Sequence, residues 1–198
     1  SFCTTSSGKA LGSLPGLGII IGRVNDFNEL AKINSKSIYL DLYNLYKYSR
    51  FSEQTPNTPA VQLIYALDQA LTNILLVGVK NKRDYIRNMT ELLRKEMKKM
   101  GFNFLIDGDF MCSMLTTVVL PNSMQIDLLR SELRKKDIII YNGKGPFLNA
   151  AFQVGNIGNL NQRNIKYFLK SLKEAKDSFI KKETVKKAYR NFTAQSQL

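Results

Sequence analysis

The chain has 198 residues, 44% hydrophobic and 23% charged, with 29 basic against 16 acidic side chains and no histidine. That length holds one domain with a real core, or one domain and an appendage, and the composition is globular rather than disordered. The lack of histidine removes histidine-based triads and the commonest metal ligand, so no metal site is expected.

No apolar run approaches the length needed to span a bilayer. Cys3 and Cys112 lie far apart in apolar surroundings. They read as reduced core thiols of a cytosolic protein, since a lone pair makes no disulfide framework. Ser1-Phe2-Cys3 opens directly on strand-like sequence, without a signal-peptide pattern or initiator methionine. The first residue therefore reads as a cut point inside a longer, cytoplasmic protein. The formal charge of +13 suggests an anionic partner such as nucleic acid. The lysines are nevertheless spread over helix faces, and no recognition motif accompanies them. Nucleic-acid binding is the lesser reading; a missing, acid-richer half accounts for the imbalance as well.

In chain order, Lys9 stands alone among Thr4, Thr5, Ser6, Ser7 and Gly8, with Pro15-Gly16 behind it. This places a partly buried amine on a tight turn at the edge of a sheet, where glycine lets the backbone come close to a ligand. Such a lysine, with no carboxylate near in sequence, can lose its proton and form a Schiff base. A solvated turn lysine is the alternative. Leu17 to Val24 is a buried strand, and Asp26 caps a helical turn reaching Ile33. Ser37 to Tyr43 alternates apolar and polar residues, and helix and extended forms both fit.

Phe51 to Pro59 is a loop, with Thr58 and Pro59 placed to cap and start a helix. That helix carries Val61, Ile64, Leu67, Leu71 and Ile74 on one face. A second runs from Lys82 to Met100, with its methionine stripe as core packing and Gly101 as its stop. Phe102 to Ile106 is a strand and Asp107-Gly108-Asp109 a turn rather than a metal pair. Met111 to Leu120 is a long strand, Asn122-Ser123 cap a helix through Leu133, and Asp137 to Tyr141 is a strand. Asn142 to Pro146 is a loop and Ala150 to Val154 the last strand. The final helix turns Ile165, Phe168, Leu172 and Phe179 inward, and the polar tail from 183 frays. The order predicts an α+β fold: a mixed or antiparallel sheet with helices on one face.

Ser6-Ser7-Gly8-Lys9-Ala10-Leu11, then Pro15-Gly16-Leu17-Gly18 and a strand, resembles the lysine segment of the class V, fold-type I, pyridoxal-phosphate-dependent aminotransferases. Within that class the chain is most similar to the 2-aminoethylphosphonate–pyruvate transaminases. The matching pieces include Ser37-Ile38-Tyr39-Leu40-Asp41-Leu42, Thr58-Pro59, Gly101-Phe102-Asn103, Ile139 to Lys144, and Phe152 to Gly158. The resemblance reaches about Ala175.

It implies that residues 1–50 end the large cofactor domain and 51–182 form the small carboxyl-terminal domain. Lys9 is then the catalytic, cofactor-bearing lysine. Thr58 binds the cofactor phosphate of a neighbouring subunit, in a homodimer. The family arginine that grips the substrate carboxylate falls on Gln153. Glutamine offers one neutral amide where arginine offers a charged two-pronged grip; Arg23 or Lys144 is a candidate for the missing charge. The family's pyridinium aspartate, stacking aromatic and main phosphate loop precede the lysine, so they lie upstream of Ser1. The reaction implied is amino transfer from 2-aminoethylphosphonate to pyruvate, giving phosphonoacetaldehyde and L-alanine. A transaminase or lyase for another donor is the alternative, and a basic, non-catalytic binding module is the third reading.

Overall fold

The computed structural model describes residues 1–106 and 108–195. It divides into two compact units, Ser1–Val79 and Lys80–Leu198. The division falls beyond the boundary expected at residue 50. Residues 61–77 belong with the first unit, because Leu63 packs against Gly16: a Cβ on Gly16 would stand 2.7 Å from Leu63 Cδ1.

The first unit begins with an antiparallel ribbon, β1 (Phe2–Ser6) and β2 (Gly18–Gly22), in the register Ser6↔Gly18 to Phe2↔Gly22. The strand expected over the Ile19-Ile20-Ile21 run is there, but it is not buried. Ile21 is 62% exposed, because β2 pairs with one strand only. Helix α1 (Val24–Glu29) follows, with Arg23 rather than Asp26 at its N-cap. In α2 (Leu42–Lys47) the cap is Asp41, whose Oδ1 accepts from the Asn44 amide at 2.9 Å. A π turn over Tyr48–Ser52 extends it. Aromatic rings tie these pieces together: Phe2 meets Phe27 edge-on at 5.0 Å, and Phe27 stacks on Tyr46 at 4.9 Å.

Helix α3 (Val61–Val77) starts later than Thr58-Pro59 suggests. Ala60, at φ −77 and ψ 72, forms an inverse γ-turn in which the Val61 amide donates to the Pro59 carbonyl at 2.9 Å. Thr58 therefore lies three positions before the first helical residue and does not cap the helix, and no residue of α3 is buried.

The second unit holds the apolar core. It is built from α4 (Val79–Lys99), β3 (Asn103–Phe104), β4 (Leu115–Val119), α5 (Ile126–Arg134), β5 (Tyr141–Asn142), β6 (Ala151–Gly155) and α6 (Gln162–Gln195). The four strands run in the order β3-β4-β6-β5, every pair antiparallel. On β4 the alternation sends Thr116 and Val118 inward. There Val118 and Phe152 meet Leu93 and Met97 of α4, Leu129 and Leu133 of α5, and Leu172 of α6, all fully buried. One helix stop is explicit. Gly101, at φ +80, ends α4, whose last carbonyls also receive the Lys176 ammonium through Met100 O.

Several expected bounds shift. Gln125, without a side-chain bond, replaces Asn122-Ser123 at the α5 cap. The expected strand from Asp137 shrinks to Tyr141–Asn142. Asp137, at φ 56, closes the α5 terminus, where the Ile138 amide donates to Leu133 O at 3.1 Å, and the chain reaches β6 only later. Helix α6 continues through the expected frayed tail as far as Gln195. Both cysteines are exposed rather than core thiols. Of the expected aspartate turn, Asp107 lies outside the described residues, and Gly108–Phe110 is a 3-10 turn. Among the described residues no single helix is long and apolar enough to cross a membrane.

Candidate active site

Lys9 sits in the loop that joins β1 to β2, and Ser7 builds that loop. Past the last ladder pair, the Ser7 amide donates to Leu17 O at 3.1 Å and the Ser13 amide to Ser7 O at 3.0 Å. The Ser7 hydroxyl donates to Leu14 O at 2.6 Å and accepts from the Leu17 amide at 3.3 Å. The Gly12 amide donates to Lys9 O at 3.0 Å, with Gly12 at φ +70, so Lys9 opens a closed turn. Gly8 lies against Pro15 so tightly that a Cβ there would reach Pro15 Cα at 2.7 Å.

The expected partly buried lysine is not found: Lys9 is exposed, because the loop stands out from a two-stranded ribbon. Its backbone is fixed while its amine is free, and no ion pair holds that amine among the described residues. The contact of Leu63 with Gly16 sets the first turn of α3 at the base of this loop. Thr58, exposed, lies just ahead of that helix start.

Arg23 is exposed and committed to Asp26, with Nε 3.2 Å from Oδ2.

In the second unit, Gln153 lies on β6 between Thr117 of β4 and Tyr141 of β5. These three form a polar row on the sheet face away from the helices. Gln153 is half-buried, and its Nε2 is 3.5 Å from Thr117 Oγ1, a weak bond at best geometry. Lys144 is exposed at the start of a tight loop. Its neighbour Gly143 has no room for a side chain, since a Cβ would overlap the Phe147 carbonyl. Sequence reasoning singled out Lys9 and Gln153 but missed what Ser7 does. The signal available was slight: a small hydroxyl residue at the strand end, ahead of a Pro-Gly return.

Among the described residues no cluster of histidine, cysteine and carboxylates has metal-site geometry. The donor set fits pyridoxal phosphate in kind: a primary amine on a fixed backbone, without a competing carboxylate, and a hydroxyl ahead of a long helix.

No family model matches the chain. A 2-aminoethylphosphonate–pyruvate transaminase of Burkholderia lata is 30% identical over 178 residues, which is 88% of this chain and 47% of that protein. An uncharacterized aminotransferase of Methanocaldococcus jannaschii is 27% identical over 165 residues, 82% of this chain and 43% of that protein. The chain thus spans about half the length of the curated relatives it matches. Alanine–glyoxylate aminotransferase of Nostoc superposes on 88% of this chain and 48% of its own, with a TM-score of 0.81 at 22% identity. The fold is an aminotransferase fold. The α+β unit with its antiparallel sheet, and the lysine ribbon ahead of it, are parts of that architecture, and the curated relatives are named transaminases.

Proposed function

We propose that this chain is the lysine-bearing, carboxyl-terminal part of a pyridoxal-phosphate-dependent aminotransferase. The reaction we assign to the whole enzyme is transfer of the amino group of 2-aminoethylphosphonate to pyruvate, giving phosphonoacetaldehyde and L-alanine, by a homodimer in the cytoplasm. The observation that carries the reading is the Lys9 loop. An exposed amine stands on a backbone fixed by Ser7 and Pro15, in a chain whose relatives include phosphonate transaminases over nearly its full length.

Pyridoxal phosphate, when bound, supplies the electron sink that lets the substrate Cα–H bond break. The chain's own residues do the rest of what is assigned to it. Lys9 would hold the cofactor through its amine. When not bonded to the cofactor, the same Lys9 amine would be the base that holds and moves the substrate's α-proton. The closed loop keeps the amine's base still through both tasks, so little ordering remains to be done as the proton moves. Thr58 offers a hydroxyl to a phosphate, as the helix that follows offers a favourable field. Gln153 presents a neutral amide where the acceptor carboxylate is gripped in the resembling family.

Gln153 also supports a second reading, a transaminase of the same kind with a different amino donor or acceptor. Borohydride reduction of the full-length holoenzyme, followed by peptide mapping, tests the first claim. The pyridoxyl label is expected on Lys9, and a label on any other lysine removes the reading. Assay of alanine formation from 2-aminoethylphosphonate and pyruvate then separates the two substrate readings.

A further inference from the structure

Ser7 is the single fully buried residue of the first unit, at 0% exposure. The unit has exposed isoleucines on β2 and no buried apolar side chain, so the position is not explained as part of a hydrophobic core. A buried hydroxyl costs free energy unless it is paired. Here both its functions are used: it donates to Leu14 O at 2.6 Å and accepts from the Leu17 amide at 3.3 Å. Its own amide and carbonyl engage Leu17 O and the Ser13 amide, at 3.1 and 3.0 Å. Four bonds from one residue therefore reach three points on the returning strand of the loop. Lys9 is two positions away, separated by a glycine that is itself packed on Pro15. Alanine at position 7 would keep the two backbone bonds and lose the two made by the hydroxyl.

From this we infer that Ser7 is a positioning residue for Lys9: its hydroxyl latches the β1–β2 loop so that the lysine amine meets its electrophile in one geometry. The inference rests on the reading of Lys9 as the cofactor-bearing lysine. The Ser7 hydroxyl is occupied by Leu14 O and the Leu17 amide. It acts through the path of the backbone, which closes at Leu14 and Leu17.

The test compares Ser7→Ala and Ser7→Thr with the unaltered full-length holoenzyme. Ser7→Ala removes one oxygen without adding volume, so folding is retained, and Ser7→Thr keeps the hydroxyl. Two readouts are taken: borohydride trapping of the pyridoxyl label at Lys9, across pH, and amide hydrogen exchange at Leu17 and Ser13 in the cofactor-free protein. Ser7→Ala is expected to slow trapping at Lys9 about ten- to a hundredfold, the scale set by misplacing a reacting group by about an ångström. It should also shift the pH profile of trapping and speed exchange at Leu17, with Ser7→Thr restoring all three. Trapping at Lys9 as fast in Ser7→Ala as in the unaltered enzyme overturns the inference, even if Leu17 exchange rises, and leaves the reading of Lys9 standing. Absence of label at Lys9 in the unaltered enzyme overturns the reading of Lys9 and the inference with it.

Discussion

Gly8 and Pro15 are in backbone contact across the mouth of the lysine loop: a Cβ on Gly8 would stand 2.7 Å from Pro15 Cα and 2.8 Å from its Cβ. Neither partner can yield cheaply, because one is main chain and the other a closed ring. Gly8→Ala is therefore expected to cost about 1–3 kcal/mol, the usual range for forcing atoms into a filled site. The damage should stay in the loop. Amide exchange at Gly12 and Leu17 rises while thermal unfolding of the second unit is unchanged. Unaltered exchange at those amides would show that the ribbon absorbs the methyl group.

The Lys9 side chain holds no other part of the fold by a hydrogen bond or an ion pair. It is exposed and unpaired among the described residues. Lys9→Ala in the full-length enzyme should thus change stability by no more than about 0.5 kcal/mol. The same change should abolish the absorbance of the lysine-bound cofactor and the amino transfer. Parallel thermal melts and visible spectra check both halves. Retained turnover would identify Lys9 as a turn residue only.

A buried polar knot fastens α4 to the sheet. Asn156 Nδ2 donates to Thr90 Oγ1 at 2.7 Å and to Ser113 O at 3.0 Å, and Thr90 is 1% exposed. The Thr90 hydroxyl lies between the carbonyls of Ile86 and Ser113. Beside it, Arg94 donates to Thr116 Oγ1 at 3.0 Å and to the Cys112 carbonyl at 2.6 Å, and burial pushes its guanidinium down from the ordinary value. Thr90→Val keeps the volume but strips Asn156 of one acceptor. The expected loss is about 1–3 kcal/mol, the cost of a buried donor left without a partner. Chemical denaturation of the variant measures it, and a loss below the error of that experiment means that water enters the site.

The helical period marked the inward faces of the second unit well. Leu93 and Met97, Leu129 and Leu133, and Phe168 and Leu172 are all buried as their spacing predicts. Periodicity reports which face is apolar, not whether anything covers it. That is why Ile19-Ile20-Ile21 read as a buried strand and is an exposed one. Strand lengths failed for a related reason: pairing is set by the partner, and the left-handed Asp137 delays the approach to β6. At the candidate site, Lys9 was legible from its small neighbours and the Pro-Gly return. The Ser7 latch was not, since its bonds to Leu14 and Leu17 depend on how the loop comes back. The missing Thr58 cap turns on one local detail, the γ-turn at Ala60.

Glu174 of α6 is paired with Lys136, which follows α5. The hydrogen bond from Lys136, more than the nearby charges of Lys136 and Lys170, holds the Glu174 carboxyl below its usual range. A carboxylate depressed on folding adds stability above its unfolded pKa, and loses it as pH falls through the lower folded value. As pH falls from the ordinary Glu value through the lower folded one, the unaltered chain should therefore lose melting temperature more steeply than Glu174→Gln. Added salt should narrow the difference, because the pair is at the surface. Identical acid limbs would mean that the pair contributes nothing to folding.

Gln153 is the residue at which this chain departs from the arginine of the family it resembles, and its surroundings show what the change does. The amide lies in a neutral row, with Thr117 on one side and Tyr141 on the other, and its own bond to Thr117 Oγ1 is long at 3.5 Å. A single amide N–H binds a carboxylate with one uncharged bond. A guanidinium binds it with two parallel charged ones, each hydrogen bond to a charged group being worth about 1.5–3 kcal/mol. The row leaves space for the longer side chain, since Tyr141 is 68% exposed and so opens toward solvent. In the full-length enzyme, Gln153→Arg is expected to lower KM for pyruvate about tenfold or more, with a smaller change in kcat, because the carboxylate is held equally before and during the reaction. The neutral analogue pyruvamide should gain nothing. If both acceptors respond alike, the guanidinium acts through the sheet and not on the substrate. If neither responds, Gln153 does not face the acceptor, and the choice of substrate is made elsewhere in the enzyme.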